Sequence, residues 1–335
     1  MRILIVGFYL EETMGWYLEN NLKKMGHAAE VFCYRSFSQG VHPEAIYSKM
    51  ARHIYPLSKG YVWKMNRDLL KKVAKFKPDL VIVLKGETVL PTTVRSIREQ
   101  GIKVINWFMD PIITLGHEYL FDSIQEYDYF ITKDKFILKR LTEIGIDNAR
   151  FLLECFDPAV YRRMELSDED REEYASDMAL VGNIYPYRMR LIKKFEGIDF
   201  KAWGKLVNVK REDAAWFYQG HPAVTWEKAK IFNAAKICFN SHNPWEIEGT
   251  NARIFEINGC GAFQISDTTL HTDKVFKDKR EIVYFRDAKE LKELTGYYLE
   301  NDEERKRIAE AGQKRALSEH TYEKRIGELF VLIKD

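Results

Sequence analysis

The chain has 335 residues, more than a single hydrophobic core usually organises, so we expect two domains. With 46% hydrophobic and 30% charged residues, the composition is that of a folded protein and excludes a collagen-like or largely disordered one. Lys and Arg nearly balance Asp and Glu, 52 against 50, which argues against a nucleic-acid partner. An anionic ligand therefore has to be held by a local site.

The cysteines and the apolar runs indicate the cellular compartment of the protein. Cys33, Cys155, Cys238 and Cys260 are widely spaced and form no CxxC pair, which favours reduced thiols over a disulfide framework. The apolar run at the start of the chain is too short for a signal peptide or a membrane span, and no other run is longer. The sequence predicts a cytoplasmic protein whose contact with membranes is at most peripheral.

Residues 2–134 alternate between short apolar runs and helical periodicity. The runs VIVL and VINWFM are apolar without alternation, which is typical of strands covered by helices on both faces. We therefore predict a doubly wound, Rossmann-like parallel sheet. Its predicted strands are RILIVGFY, HAAEVFCY, DLVIVLKG, KVINWFMD and YDYFITKD.

The strongly acidic segment LSDEDREEYASD carries six acids in twelve residues and is predicted to link the two domains. The first domain is therefore predicted to end at 165 and the second to begin at 175.

The second half repeats the α/β alternation, and we predict a second doubly wound sheet there. Asp287 and Asp302 stand where helix N-caps belong, and YEKRIGELFVLI predicts a last helix. The predicted strands are MALVGN, DFKAWGK, KICFNSH, GAFQIS and EIVYF, with helices at YRMRLIKKFEG, TWEKAKIFNAA and NARIFEING.

The segment 242–267 has the pattern of a ligand site, because polar groups flank a short helix between two buried strands. Thr250 or Asn251 can cap that helix and leave its first N–H groups to a pyrophosphate. Arg253 can add a charge for phosphate oxygens.

Two acids flank the same predicted ligand. Glu256 lies one turn after Arg253 and suits ribose hydroxyls, while Glu248, in the preceding loop, can reach the sugar end. The alternative is that Glu256 pairs with Arg253 on a solvated helix face.

These residues carry a family resemblance. Glu248-x7-Glu256 followed by GCGAFQISD resembles the signature of the retaining glycosyltransferases of group 1, or family 4. NARIFEINGCGAFQISD, DMALVGNIYPYR, KICFNSH and HTYEKR are similar to the spore-maturation-protein-like (CgeB-like) branch, and this similarity covers most of 178–327. The resemblance implies the GT-B fold, with two Rossmann-like domains facing a central cleft and the last helix packed on the first domain. The acceptor-side domain would then comprise 1–165 together with a C-terminal helix over 318–335, and the donor-side domain would comprise 175–317.

The resemblance also implies an activity: transfer of a hexose-type sugar from a nucleotide-sugar, UDP-sugar by default, with retention and without a cofactor or an essential metal. Glu256 would hold the donor ribose, and Glu248 would lie near the donor sugar and phosphates. Gly182 and Asn183 would form the glycine turn beside the diphosphate. Arg188 falls where the branch places a basic residue, although Arg190 competes for that role.

Further candidates follow other strand ends. Lys205 can reach a phosphate, or can be a solvated lysine. His242 and Asn240 can face the donor or be structural. Asp110 follows an apolar strand and precedes a proline, so it can contact the acceptor or act as a base, or merely begin a turn. An inverting reaction would need a base, for which Asp110 and Glu11 are the candidates.

The segment 47–72 holds seven Lys or Arg against one acid, interleaved with Tyr47, Tyr55, Tyr61 and Trp63. A solvated helix pair with inward aromatics is favoured over a surface for an anionic acceptor or a membrane.

Several common functions lack their motifs. The sequence contains no HExxH, Cys/His cluster, GxxxxGK[ST] or GxSxG pattern, which argues against a zinc enzyme, a P-loop NTPase and a common hydrolase. Two alternatives stay open: a non-catalytic nucleotide-sugar-binding or structural protein of the same fold, and a nucleotide-sugar epimerase. The acceptor can be a glycan, a protein, a lipid or a small molecule.

Overall fold

The computed structural model describes residues 1–33, 55–111, 115 and 119–334, with no side-chain description for 55–58. The chain divides into two compact units: unit 1 comprises Met1–Leu153 with Ile326–Asp335, and unit 2 comprises Glu154–Arg325. The sequence had placed the boundaries at 165–175 and 317–318, so unit 2 takes in residues at both of its ends that were predicted for the first domain.

Unit 1 contains a six-stranded parallel sheet in the order β2-β1-β3-β4-β5-β6. The chain leaves β1 on one side for β2 and returns to its other side for β3. Four of the predicted apolar runs, those of β1, β3, β4 and β5, form strands whose side chains are buried on both faces, whereas β2 is mostly exposed or half-buried. Only β6 was not predicted. The strands are β1 Arg2–Gly7, β2 Ala28–Cys33, β3 Leu80–Leu84, β4 Lys103–Phe108, β5 Tyr129–Thr132 and β6 Ala149–Phe151.

Helices lie between these strands along the chain. The Asp134 carboxylate accepts hydrogen bonds from the N–H groups of Phe136 and Ile137 and so caps the helix that follows β5. The helices are α1 Met14–Lys24, α2 Tyr55–Phe76, α3 Pro91–Arg98, α4 Leu120–Ser123 and α5 Lys135–Glu143, with a 3₁₀ turn at Ile124–Glu126.

Unit 2 contains a five-stranded parallel sheet in the order β11-β10-β9-β7-β8. Here the chain goes from β7 to β8 on one side and then to β9 on the other, so the winding reverses between β7 and β9. In doubly wound sheets, ligands bind outside the carboxyl ends of the strands at this switch point. The strands are β7 Ser176–Val181, β8 Phe200–Trp203, β9 Ala235–Asn240, β10 Gln264–Asp267 and β11 Val283–Phe285.

The helices of unit 2 include two corrections to the sequence analysis. The acidic segment is not a linker but forms α6, which the Ser167 hydroxyl caps by accepting from the Asp170 N–H. Asp287 caps its helix as predicted, whereas Asp302 is already the first residue of the next one. The helices are α6 Asp168–Tyr174, α7 Pro186–Ile192, α8 Arg211–Ala214, α9 Thr225–Ala234, α10 Arg253–Gly259, α11 Thr272–Val275, α12 Ala288–Glu300 and α13 Asp302–Glu319, with a 3₁₀ turn at Lys193–Phe195. The last helix, α14 Tyr322–Leu332, begins in unit 2 and continues into unit 1 from Ile326.

The two units confirm the predicted fold class of two doubly wound parallel sheets. All four cysteines are free thiols, and Cys155, Cys238 and Cys260 are buried. In the part of the chain that the structure describes, no helix is both long enough and apolar enough to cross a membrane.

Candidate functional site

Two glycines allow β7 and β8 to end close together at the switch point. A Cβ atom on Gly204 would lie 2.0 Å from the Gly182 carbonyl oxygen. Gly182 has a φ of +146°, and a Cβ atom there would lie 2.3 Å from Arg253 Nη2. The missing side chains therefore let a guanidinium pack directly on the backbone turn. Lys205 follows Gly204 with its side chain exposed.

Arg188 joins the turn after β7 to the end of β9. Its Nε donates to Ser241 Oγ at 2.8 Å, its Nη2 donates to the Ser241 carbonyl oxygen at 2.6 Å, and its Nη1 donates to the Asn183 carbonyl oxygen. Its guanidinium also lies over the rings of Tyr185 and Tyr187, which stack on each other. Arg188 is buried, unlike its exposed competitor Arg190, and it orders the site through protein contacts.

Asn240, the last residue of β9, holds the second arginine. Its Oδ1 accepts from Arg253 Nη1 at 3.0 Å and from Asn251 Nδ2 at 3.1 Å. The N-cap residue of α10 is Ala252 and not Thr250 or Asn251, but the Oδ1 of Asn251 accepts the Ile254 N–H of the first turn at 3.1 Å. Thr250, the other predicted cap, is fully buried, and its Oγ1 has no hydrogen-bond partner among the described residues.

The two guanidiniums form a positive cluster. Burial lowers the pKa of Arg188, and burial together with the charge of Arg188 lowers the pKa of Arg253 to about 10. Both remain charged at neutral pH. Among the ion pairs within 4 Å in the described part of unit 2, none includes either arginine. Such a cluster favours an anion at the carboxyl ends of β7 and β9.

Glu256 is buried in α10, and its charge is paired with a residue that the sequence analysis did not identify. Lys228 Nζ, from α9, lies 2.8 Å from Glu256 Oε2 and 5.4 Å from the centroid of the Tyr161 ring. The alternative of a solvated Glu256–Arg253 pair is therefore wrong. A buried carboxylate held in one position can accept hydrogen bonds from the hydroxyls of a ligand.

Glu248 lies in the segment between β9 and α10, and the structure fixes its neighbours. The carbonyl oxygen of Ile247 accepts the Leu270 N–H at 3.2 Å, and that of Gly249 accepts Thr269 Oγ1 at 2.8 Å. The loop after β10 thus supports the backbone on both sides of Glu248.

His242, just after β9, forms a pair with Asp267 at the end of β10. Asp267 Oδ1 lies 2.6 Å from His242 Nδ1, and both carboxylate oxygens accept the His242 backbone N–H. The sequence placed His242 at a strand end but gave no sign of Asp267 as its partner.

In unit 1, Asp110 lies two residues beyond β4, at the strand end where the sequence predicted it. Lys85 Nζ lies 2.9 Å from Asp110 Oδ2 and 2.9 Å from Glu87 Oε2. One ammonium group therefore joins two carboxylates at the ends of β3 and β4.

The basic and aromatic segment 47–72 lies partly outside the described residues, which exclude Tyr47 and the side chain of Tyr55. Tyr61 packs against the core of unit 1, as expected of an inward aromatic. Trp63 does not, because 70% of it is exposed.

Known proteins share the sequence pattern and the fold. Residues 188–330 match the family described as glycosyl transferase-like. Over 283 residues the chain is 23% identical to the spore protein CgeB of Bacillus subtilis strain 168, covering 78% of this chain and 84% of that protein.

Solved structures extend the likeness to the whole chain. The sucrose-phosphate synthase of Thermosynechococcus elongatus superposes with a TM-score of 0.65 at 10% identity, covering 99% of this chain and 98% of that one. Anabaena HepE, solved in complex with UDP, gives 0.64 at 12% identity, covering 99% and 100%. The OtsA apo structure gives 0.68 at 10% identity, covering 100% and 99%. At these identities the likeness shows the GT-B fold alone. The matched segment and the relative support the resemblance found in the sequence, to the CgeB-like branch of the GT-B glycosyltransferases.

Proposed function

We propose that this glycosyltransferase transfers a hexose-type sugar from a UDP-sugar and that unit 2 binds the donor. The observation that carries the proposal is the pair of buried guanidiniums, Arg188 and Arg253, at the switch point between β7 and β9. A diphosphate there would supply the negative charge that the two arginines lack. UDP is the first nucleotide to test because the similar fold of HepE is known with UDP bound.

The other site residues take roles around that diphosphate. Arg253 contacts the phosphates, and Arg188 holds the Gly182–Asn183 turn in place for them. Lys205 adds a mobile charge from the end of β8. Glu256, oriented by Lys228, accepts the ribose hydroxyls, and Glu248 lies beside the transferred sugar, next to Thr250 in the same loop.

The chemistry then depends chiefly on charge stabilisation. As the bond from the sugar to the diphosphate breaks, negative charge grows on the leaving phosphate, and the fixed cations stabilise it. Retention of configuration is the outcome that the family resemblance favours, with Asp110 in unit 1 as the acceptor contact or base. NMR of the anomeric proton in the product tests retention.

The first experiment is binding calorimetry with UDP-, GDP-, ADP- and TDP-sugars against the wild type, Arg253→Met and Glu256→Gln. We expect one nucleotide class to bind the wild type and both variants to lose most of that affinity. Arg190→Met, which removes an exposed arginine from the same helix as Arg188, is the matched control and should bind normally. Because the arginines supply the positive charge, a chelator should not abolish binding.

Stability separates a ligand site from a structural one. Arg253→Met removes a desolvated charge that Arg188 repels, so the ligand-free variant should unfold at the same or a higher temperature. Failure of every nucleotide-sugar to bind the wild type would overturn the proposal. Binding without transfer to any acceptor would favour the non-catalytic alternative, and release of an altered free sugar would favour an epimerase.

A further inference from the structure

His242 and Asp267 form a rigid pair at the ends of β9 and β10. The Asp267 carboxylate accepts the His242 backbone N–H at 2.8 and 3.0 Å, and its Oδ1 lies 2.6 Å from the ring Nδ1. Since a carboxylate only accepts, the Nδ1 atom carries the proton between them. Nε2 is therefore the ring atom left for another group.

That atom has no group to bind within the described residues. His242 is 4% exposed, and its Nε2 is buried without a hydrogen-bond partner. A buried polar atom without a partner destabilises the folded state, and a hydrogen bond to a ligand oxygen would remove that cost.

The charges around the pair suit the diphosphate of a nucleotide-sugar, which carries two negative charges. Arg188 and Arg253 provide two positive charges, Lys205 adds a third from the end of β8, and Asp267, which acts on both arginines, offsets one of them. Glu256 is matched by Lys228. A phosphate oxygen only accepts hydrogen bonds, so it can bond to Nε2 only when that ring atom carries a proton.

We propose that His242, oriented by Asp267, takes up one proton when the donor binds and donates from Nε2 to an oxygen of the diphosphate. The inference rests on the proposed donor site. The proton comes from solvent, and the contact between Nδ1 and Asp267 is kept. During transfer, the electron pair of the bond between the sugar and the phosphate oxygen goes to that oxygen, and the Nε2–H group stabilises the added charge.

Calorimetry in two buffers of different ionisation enthalpy measures the proton directly. The probe is the nucleotide-sugar that binds in the panel above, at neutral pH and without acceptor. The diphosphate diester does not titrate near this pH, so any uptake belongs to the protein. We expect close to one proton with the wild type, none with His242→Gln and less with Asp267→Asn. His27→Gln, in unit 1, is the matched control and should keep the full uptake.

Nitrogen NMR of the histidine rings gives a readout that a purely structural role would not change. On donor binding, one ring in the wild type should convert to the doubly protonated form, and this signal should be missing in His242→Gln. Donor binding without proton uptake in the wild type, or with unchanged uptake in His242→Gln, would overturn the inference and leave the donor site intact. If no nucleotide-sugar binds the wild type, the proposed function itself fails.

Discussion

At the scale of single residues, Gly182 is the position where a methyl group should do the most harm. Its φ of +146° is strained for any other residue, and a Cβ atom would lie 2.3 Å from Arg253 Nη2. We expect Gly182→Ala to lower the free energy of unfolding by about 1–3 kcal/mol and to weaken donor binding by displacing the arginine. Chemical denaturation and calorimetry measure the two effects.

Gly296 provides the matched control because it lies exposed within α12 with open space around its Cα. Gly296→Ala should raise the free energy of unfolding by about 0.5–1 kcal/mol, since alanine is the better helix former, and should leave donor binding unchanged. If Gly182→Ala binds the donor like the wild type, Arg253 does not need its packing on the glycine turn.

The pair of Lys228 and Glu256 permits a second test at the same scale. Lys228→Met leaves a buried carboxylate without its partner, and we expect a loss of about 3 kcal/mol in the free energy of unfolding. The double variant Lys228→Met with Glu256→Met removes both charges and should recover most of that loss. Urea denaturation of the three proteins measures the recovery.

Donor binding separates the two roles of this pair. Both variants should bind the donor poorly, because ribose recognition needs the oriented carboxylate. A double variant that is stable and still binds at wild-type affinity would remove Glu256 from the donor site.

At the scale of elements, His320 joins α13 to α14 and packs on α10. Its ring lies against Phe255 and Phe276, and its Nδ1 is 3.1 Å from Arg325 Nη2. Burial, with the charges of Arg325 and Arg315, lowers the pKa of His320 to about 3. In the unfolded chain its pKa returns to about 6.5.

The sign of the pH dependence follows from that difference. Between about pH 6.5 and pH 3 the unfolded chain binds a proton that the folded chain does not, so the free energy of unfolding falls as the pH is lowered. The slope approaches about 1.4 kcal/mol per pH unit. His320→Gln keeps an acceptor for Arg325 but cannot titrate, so denaturation between pH 6.5 and 5 should show a smaller fall. His221→Gln removes a histidine whose pKa is raised by its hydrogen bond to Glu227, so this variant should not show the smaller fall.

Local sequence signals predicted the elements well and the contacts between them poorly. The N-cap at Asp287 was predictable because its hydrogen bonds go to residues within the next three positions. The prediction that Asp302 is an N-cap was wrong by one residue, because Asn301 before it is also a residue type that caps helices. The acidic segment was predicted to be a linker because of its high charge, although it contains a capped helix. Glu256 was given the wrong partner, because Lys228 lies on another helix and only the packing of α9 and α10 brings it near.

The same limit applies to the site. Polar residues at strand ends marked Asn240 and His242 as candidates, because parallel strands end at one edge of a sheet, and the family resemblance marked Gly182. Asp267, 25 residues from His242, carried no signal of its own. Whether Arg188 faces solvent or the strand ends depends on the rotation of α7, which its short sequence does not fix.

At the scale of the whole molecule, the residues of the proposed donor site all belong to unit 2, whereas the cluster of Lys85, Glu87 and Asp110 belongs to unit 1. A ligand bound to one unit reduces local opening in the elements that it contacts and stabilises the folded state by about 2.7 kcal/mol at a hundredfold excess over its Kd. Hydrogen exchange followed by mass spectrometry can therefore assign a ligand to a unit.

With a saturating nucleotide-sugar alone, we expect slower exchange in 182–188, 240–253 and 264–267, the three segments that carry the arginines, the loop of Glu248 and the His242–Asp267 pair. The segments around Lys85 and Asp110 should keep their rates, because the donor's diphosphate and ribose need no group from unit 1. The Arg253→Met variant under the same conditions should show no protection. Protection at Lys85 and Asp110, with none at the ends of β7 and β9, would place the donor in unit 1 and contradict the assignment of the two units.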